Sequence, residues 1–380
     1  MTQPAILTSM AEVSELARRL ADQPSIAVDL EADSLHNYRD KICLIQVSTP
    51  TETVLIDALL FEHLEPLRPV FANAGIRKLF HAGDYDLRCL HRDFSLEIHG
   101  LFDTMIAAQL LGEARIGLAD LLGRHFDVQL DKRFQRADWS QRPLPTEMID
   151  YAAEDTRHLH RLAALFETRL IERERLDWAT EEFALLEQVR FDPPTGPLCL
   201  RLKGAGQLDR RQLGVLEALL QWRETEGRRR DRPVFKVIAN PLLLEIARHA
   251  PQSEAALASI DGVPERLRQR FGKALLKAVR RGLECPEQEL PFLPKSARAE
   301  RDPVVEQALK ALKSWRAGQA AALEIEPGVL INNAVLEELA RQRPTAVAGL
   351  EEIHGMKNWQ RRVLGESLLQ RLGGLGLPPA

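Results

Sequence analysis

This chain is poorly equipped for disulfide bonding, membrane insertion and secretion. Cysteine is scarce, at four in 380 residues, and Cys43, Cys89, Cys199 and Cys285 lie too far apart for zinc-ligand or redox spacing, so reduced thiols are expected. No apolar run approaches the roughly 20 residues needed to cross a bilayer. The first residues, MTQPAILTSMAEVSELARRL, lack a basic segment followed by an apolar one and are spaced like an amphipathic helix. A cytoplasmic protein with no membrane role is therefore expected. Disorder is excluded as well, because 45% of the residues are apolar, and the length suits two to four domains.

What the chain does have is charge, unevenly spread. Residues 1–199 hold 21 basic and 33 acidic side chains, residues 200–282 hold 18 and 9, and residues 283–380 hold 12 and 13. An acidic front and a basic middle imply different tasks, the second suited to a polyanion. The front alternates β-rich runs at 25–30, 42–48, 53–56 and 78–80 with helical patterns at 103–111, 119–125 and 146–175, which reads as an α/β domain over residues 1–192. The run FDPPTGP at 191–197 breaks it, and beyond that point only helical periodicity remains. Two helical domains are expected, at 206–284 and 300–375, on either side of a proline-bearing stretch at 285–294. They share an internal likeness, LLEIAR at 243–248 and LEELAR at 336–341, as a duplicated module would.

Three places in the acidic front put carboxylates where chemistry wants them. Asp29 and Glu31 end an apolar strand and, because side chains alternate across a strand, point to one face. A second strand runs into His81-Ala82-Gly83-Asp84-Tyr85-Asp86, where either Asp84 or Asp86 is suitably placed and Asp84 is equally suited to capping a helix. On a helix, Tyr151 and Asp155 lie four apart and project together, and Ala152 and Ala153 between them permit close approach. Acids gathered in one pocket repel one another unless cations occupy it. Oxygen-only ligands suit two Mg²⁺ or Mn²⁺ ions, which together support in-line displacement at a phosphodiester. An ordinary phenol is a poor base at neutral pH, so Tyr151 is better suited to orienting a water.

Asp29-x-Glu31, His81-Ala-Gly-x-x-Asp86 and Tyr151-x-x-x-Asp155 resemble in order and spacing the three motifs of DEDD-superfamily exonucleases of the tyrosine branch. The stretch from Leu130 to Trp139 and Arg142-Pro-Leu144 resemble ribonuclease D in particular, and the paired helical regions resemble HRDC domains. The resemblance implies a ribonuclease H-like domain, a mixed sheet flanked by helices, followed by two all-α bundles. It implies 3′ to 5′ hydrolysis of RNA releasing nucleoside 5′-monophosphates, with tRNA precursors carrying 3′ extensions as substrates and no obligate protein partner. Matching the second motif selects Asp86 over Asp84. The implied metal ligands are Asp29, Glu31 and Asp155, with Asp86 acting partly through water, and Tyr151 completes the catalytic set.

For RNA binding, the densest cations are Arg228, Arg229, Arg230 and Arg232, with Lys236 close behind, and too few acids lie nearby to pair them. Trp139 sits in a polar loop where it would either stack bases or pack beneath the loop. The rival readings are a DNA-directed exonuclease and an RNA-binding protein that does not cut. Both helical modules are expected to grip RNA, with the role of the last, nearly neutral one left open.

Overall fold

The computed structural model describes residues 4–293 and 302–377. The expected start of the last domain at 300, and Pro294 of the proline-bearing stretch, therefore lie outside the described residues. The chain divides into two compact units. One contains residues 4–32, 42–191 and 302–377, and the other contains 33–41 and 192–293.

The first unit opens with β1 (Ala5–Leu7) and α1 (Met10–Ala21). Ser9 and Glu12 cap α1 reciprocally, and Val13, Leu16, Ala17 and Leu20 form its buried stripe. Next come β2 (Ser25–Ala32), β3 (Ile42–Ser48), β4 (Thr53–Asp57), α2 (Arg68–Ala72), β5 (Arg77–Phe80), α3 (Asp84–Phe94) and β6 (Leu101–Asp103). They form one six-stranded sheet in the order β1-β4-β3-β2-β5-β6. Strand β3 runs antiparallel to both neighbours, β2 and β4, while the other pairs are parallel. This mixed sheet is the expected α/β class, and β3 is buried along its whole length. Strands β1 and β6 carry too few residues to stand out by periodicity, and only pairing with β4 and β5 reveals them.

Helices α4 (Thr104–Leu111), α5 (Leu118–Phe126), α6 (Thr146–Arg157), α7 (Leu159–Glu172) and α8 (Leu176–Leu186) complete this part. The single helix expected over 146–175 is thus broken at His158. The cause is tertiary: His160 at the start of α7 donates from Nε2 to the Ser48 carbonyl and accepts at Nδ1 from the Ser25 hydroxyl, fixing α7 to the sheet. The expected helix at 103–111 begins one residue later, with Asp103 as its N-cap.

Beyond α8 the duplication is explicit. The second unit holds α9 (Arg210–Arg230), α10 (Val234–Val237), α11 (Asn240–His249), α12 (Glu254–Ala258) and α13 (Glu265–Leu283). The first unit resumes with α14 (Pro303–Leu323), α15 (Pro327–Leu330), α16 (Asn333–Gln342), α17 (Val347–Glu351) and α18 (Asn358–Gly373), each beginning 93 residues after its counterpart. Internal contacts repeat too. Arg223 donates to the Ile238 carbonyl and Asn240 Oδ1, as Arg316 does to Ile331 and Asn333. Each bundle has its own core, built around Leu216, Leu219, Leu243 and Leu275 in one and Leu312, Leu336, Leu339 and Leu368 in the other.

Candidate active site

Helix α6 lies over the face of β2 and β3 that carries the acids. Its approach is close because Ala152 and Ala153 are fully buried and Thr156 bonds Ser48 across the gap, Oγ to Oγ, at 2.7 Å. Asp29 and Glu31 point from β2 to this face, opposite Gln46 and Leu44 of β3. Asp155 reaches them from α6, and ligand oxygens of Asp29, Glu31 and Asp155 all lie within 4.8 Å of one another. Asp86, in the first turn of α3, is 8% exposed and close enough to raise the pKa of both Asp29 and Glu31.

The turn preceding Asp86 is held by a residue that sequence reasoning missed. Asp103 is fully buried, and its carboxylate accepts the Ala82 and Gly83 amides at 3.3 and 2.8 Å and the Met105 and Ile106 amides at 2.8 and 3.1 Å. Four donors on one carboxylate stabilise Ala82 at φ 64°, which a non-glycine residue rarely adopts. At Gly83 a Cβ would come within 2.9 Å of the Phe80 side chain, so that position excludes any larger residue. The Asp-Thr pair at 103–104 is an N-cap signature that would have been readable had the strand before it been recognised. Gln46 was also missed. Its carboxamide is buried and unpartnered among the described residues, directly opposite Asp29.

Crowding shows in the electrostatics. Burial, then Asp86, pushes Asp29 well above the usual carboxylate range, and burial, Asp29, Asp155 and Asp86 do the same to Glu31. Burial with Asp103 and Asp84 raises Asp86 to about 8, and burial with Asp29 and Glu154 raises Asp155 to about 8. Four mutually repelling carboxylates, Asp86 buried and Asp29, Glu31 and Asp155 partly so, with an oxygen-only donor set, fit hard divalent cations. Asp84 stays outside the cluster, being exposed and paired with Arg88 at 2.9 Å.

Tyr151 is half-buried between the Phe134 ring at 5.7 Å and the Trp139 ring at 6.0 Å. Burial and the Asp155 charge raise its phenol further, so it stays protonated at neutral pH. Trp139 itself is 1% exposed, packed among Leu44, Leu55, Met148 and Ile149. It therefore cannot stack bases as one reading had it, because the apolar floor beneath Tyr151 claims its surface. His81 Nδ1 contacts Thr104 Oγ1 at 2.9 Å, and burial lowers its pKa, as befits a satisfied interior histidine.

The basic residues lie in the second unit. Arg229 and Arg230 both pair with Glu226, and Arg230 also covers the Phe271 ring, so the expectation that acids are too few fails for these two. Arg228 lies over the Tyr38 ring, whose hydroxyl donates to Glu224 at 2.8 Å. Arg228, Arg232 and Lys236 are exposed. With Tyr38, Arg39 and Phe235, Arg228 lines a groove of about 950 Å³.

Comparison with known proteins agrees with this geometry. A 3′-5′ exonuclease family model matches residues 4–171, and the HRDC domain model matches 212–279 and 305–372. Ribonuclease D of Granulibacter bethesdensis is 30% identical over 379 residues, 98% of this chain and 93% of the relative. The chain belongs to the ribonuclease D family. It is a 3′ to 5′ exoribonuclease, its family implies divalent metal ions, and the acidic cluster is consistent with them. Among solved structures, Escherichia coli RNase D, an exoribonuclease involved in structured RNA processing, is 26% identical, with a TM-score of 0.75 over 98% of this chain and 99% of that one. The catalytic core of Trypanosoma brucei RRP6 is 29% identical, with a TM-score of 0.64 over 74% and 83%.

Proposed function

We propose that Asp29, Glu31, Asp86 and Asp155 hold two Mg²⁺ or Mn²⁺ ions and that Tyr151 completes the site, which trims RNA from its 3′ end one nucleotide at a time. The observation that carries this reading is the convergence of acids from β2, α3 and α6 in a partly buried cluster where all their pKa values are raised. When bound, the cations supply the charge that activates a water nucleophile and stabilises the leaving oxygen. Asp29, Glu31 and Asp155 fix the geometry from rigid elements, and Asp86, held by its turn, closes the fourth side. Tyr151, protonated and braced by Phe134 and Trp139, donates a hydrogen bond that orients the attacking water. Attack on the terminal phosphorus breaks its bond to the 3′ oxygen of the penultimate nucleotide. A nucleoside 5′-monophosphate leaves, and a 3′ hydroxyl remains on the shortened chain.

The same reading assigns residues 1–192 to cutting and the basic module at 206–284 to holding RNA through Arg228, Arg232 and Lys236, with Arg229 and Arg230 partly neutralised by Glu226. The substrates are 3′-extended tRNA precursors, and the protein works in the cytoplasm. The test is incubation of a 3′-extended tRNA precursor with and without Mg²⁺, beside a DNA strand of matching sequence. Stepwise release of 5′-monophosphates from the RNA alone supports the proposal. Equal cleavage of DNA, or activity undiminished in EDTA, refutes it.

A further inference from the structure

The two helical modules are built alike, yet one face has been put to different uses. On the first module this face carries Arg230, Arg232, Lys236 and Arg266, and the constant offset of 93 places Leu323, Ile325, Val329 and Trp359 at those positions in the second. Charge has been exchanged for apolar surface. Ile325, Leu330, Trp359 and Leu364 are buried in the same core cluster as the exonuclease sheet, with Leu323 and Val329 packed against it.

Trp359, fully buried, stacks on Trp178 of α8 with ring centroids 4.6 Å apart and planes 10° from parallel. The first two amides of α18, those of Asn358 and Trp359, donate to the Glu181 carboxylate at 2.7 and 2.8 Å, so the positive end of this helix is satisfied by α8. Glu182 accepts the Trp359 indole N–H at 2.9 Å and pairs with Lys357 at 2.5 Å. Arg175, buried, donates to the Leu110 carbonyl at the end of α4 and to the Leu323 carbonyl at the end of α14, at 2.7 and 2.6 Å. Gly112 has φ 74°, and a Cβ there would lie 1.8 Å from the Glu324 carbonyl oxygen, so the backbones meet where no side chain fits. Helix α8 in turn packs Phe183 on Phe102 of β6, ring centroids 4.8 Å apart, and β6 ends at Asp103, which holds the turn before Asp86.

We propose that the second HRDC-like module is a brace. It is a fixed part of the exonuclease unit that holds α8, and through β6 the Asp103-anchored turn that presents Asp86, and it has no hold on RNA. The catalytic part of this rests on the assignment of Asp86 above, whereas the division of labour between the modules does not.

The test uses the full chain and three variants. Trp359→Ala removes the stack, Trp359→Phe keeps part of it, and Glu182→Gln weakens the polar contacts without emptying the core. Hydrogen exchange is followed over residues 81–86 and 176–186. A single-stranded RNA is titrated in EDTA at several salt concentrations, and kcat and KM are measured in Mg²⁺. Trp359→Ala is expected to speed exchange in both segments and to lower kcat at least threefold, with RNA affinity within twofold and an unchanged salt slope. Trp359→Phe should restore most of the loss. If Trp359→Ala does not fold, Glu182→Gln carries the same readouts at smaller amplitude. Unchanged exchange at 81–86, or a tenfold loss of RNA affinity with a shallower salt slope, overturns the brace. Asp86→Ala is run in parallel: if it still cuts, the site assignment fails, while exchange and binding continue to judge the brace.

Discussion

Replacing Asp155 with asparagine is expected to stabilise the metal-free protein while abolishing cleavage. In the folded chain this carboxyl is raised from 3.8 to about 8, first by burial and then by Asp29 and Glu154. A raised carboxyl binds its proton more tightly folded than unfolded, so its contribution to stability is full below about pH 4 and declines as pH rises toward 8. The slope is about 1.4 kcal/mol per pH unit for one proton, which accumulates to about 4 kcal/mol between pH 4 and pH 7. Asparagine has nearly the same shape, is always neutral and escapes this penalty. The figure is an upper value, because Asp29 and Glu31 compete for the same protons. A gain of this order raises a melting midpoint by roughly 5 to 10 °C. Thermal unfolding in EDTA at pH 5, 6 and 7 measures it, with Mg²⁺ added in a second series. The variant should pull ahead of the native protein as pH rises, and Mg²⁺ should stabilise the native protein far more. A variant that melts at or below the native midpoint at pH 7, or a gap that does not widen with pH, refutes the claim that repulsion among these acids is what cations relieve.

Three further outcomes follow from the same geometry. Tyr151→Phe should lower kcat by at least tenfold and leave Mn²⁺ affinity unchanged in a calorimetric titration, because the hydroxyl orients water and holds no metal; weakened Mn²⁺ binding contradicts this. Mn²⁺ affinity itself should tighten more than tenfold from pH 6 to pH 8, since Asp86 and Asp155 must release protons near 8 to bind it, and a flat profile opposes the assignment. On the first module, Arg228→Ala with Arg232→Ala should flatten the salt dependence of RNA binding by a log-log slope of roughly 0.7 per lost phosphate contact, and Arg229→Ala should do less because Glu226 already pairs it; equal effects contradict the distinction.

The acids were legible in the sequence because each carries a local pattern. Alternation on β2 puts Asp29 beside Glu31, and the four-residue spacing on α6 puts Tyr151 beside Asp155. Asp86 was not separable from Asp84 by pattern alone, since the distinction lies in burial: one faces the pocket and the other faces Arg88. Asp103 was hidden for a different reason. A three-residue strand has no period to detect, so its last residue read as the start of a helix. Trp139 illustrates a third limit, because exposure of an aromatic side chain in a polar loop depends on what packs over it, here the sheet and α6. The same holds for the arginines, whose spacing is local but whose partner Tyr38 lies 190 positions away from Arg228. The last module's near-neutral charge left its role open in the sequence; at the positions equivalent to Arg230, Arg232 and Arg266 it carries Leu323, Ile325 and Trp359, which pack with the exonuclease core.

The most direct measurement is diffraction from crystals soaked in Mn²⁺ and a nucleoside 5′-monophosphate, with manganese located by its anomalous signal. Two peaks about 3.5 to 4 Å apart among Asp29, Glu31, Asp86 and Asp155, with the nucleotide phosphate beside Tyr151, is the predicted result. Manganese bound elsewhere, or a nucleotide seated away from these five side chains, would contradict the account.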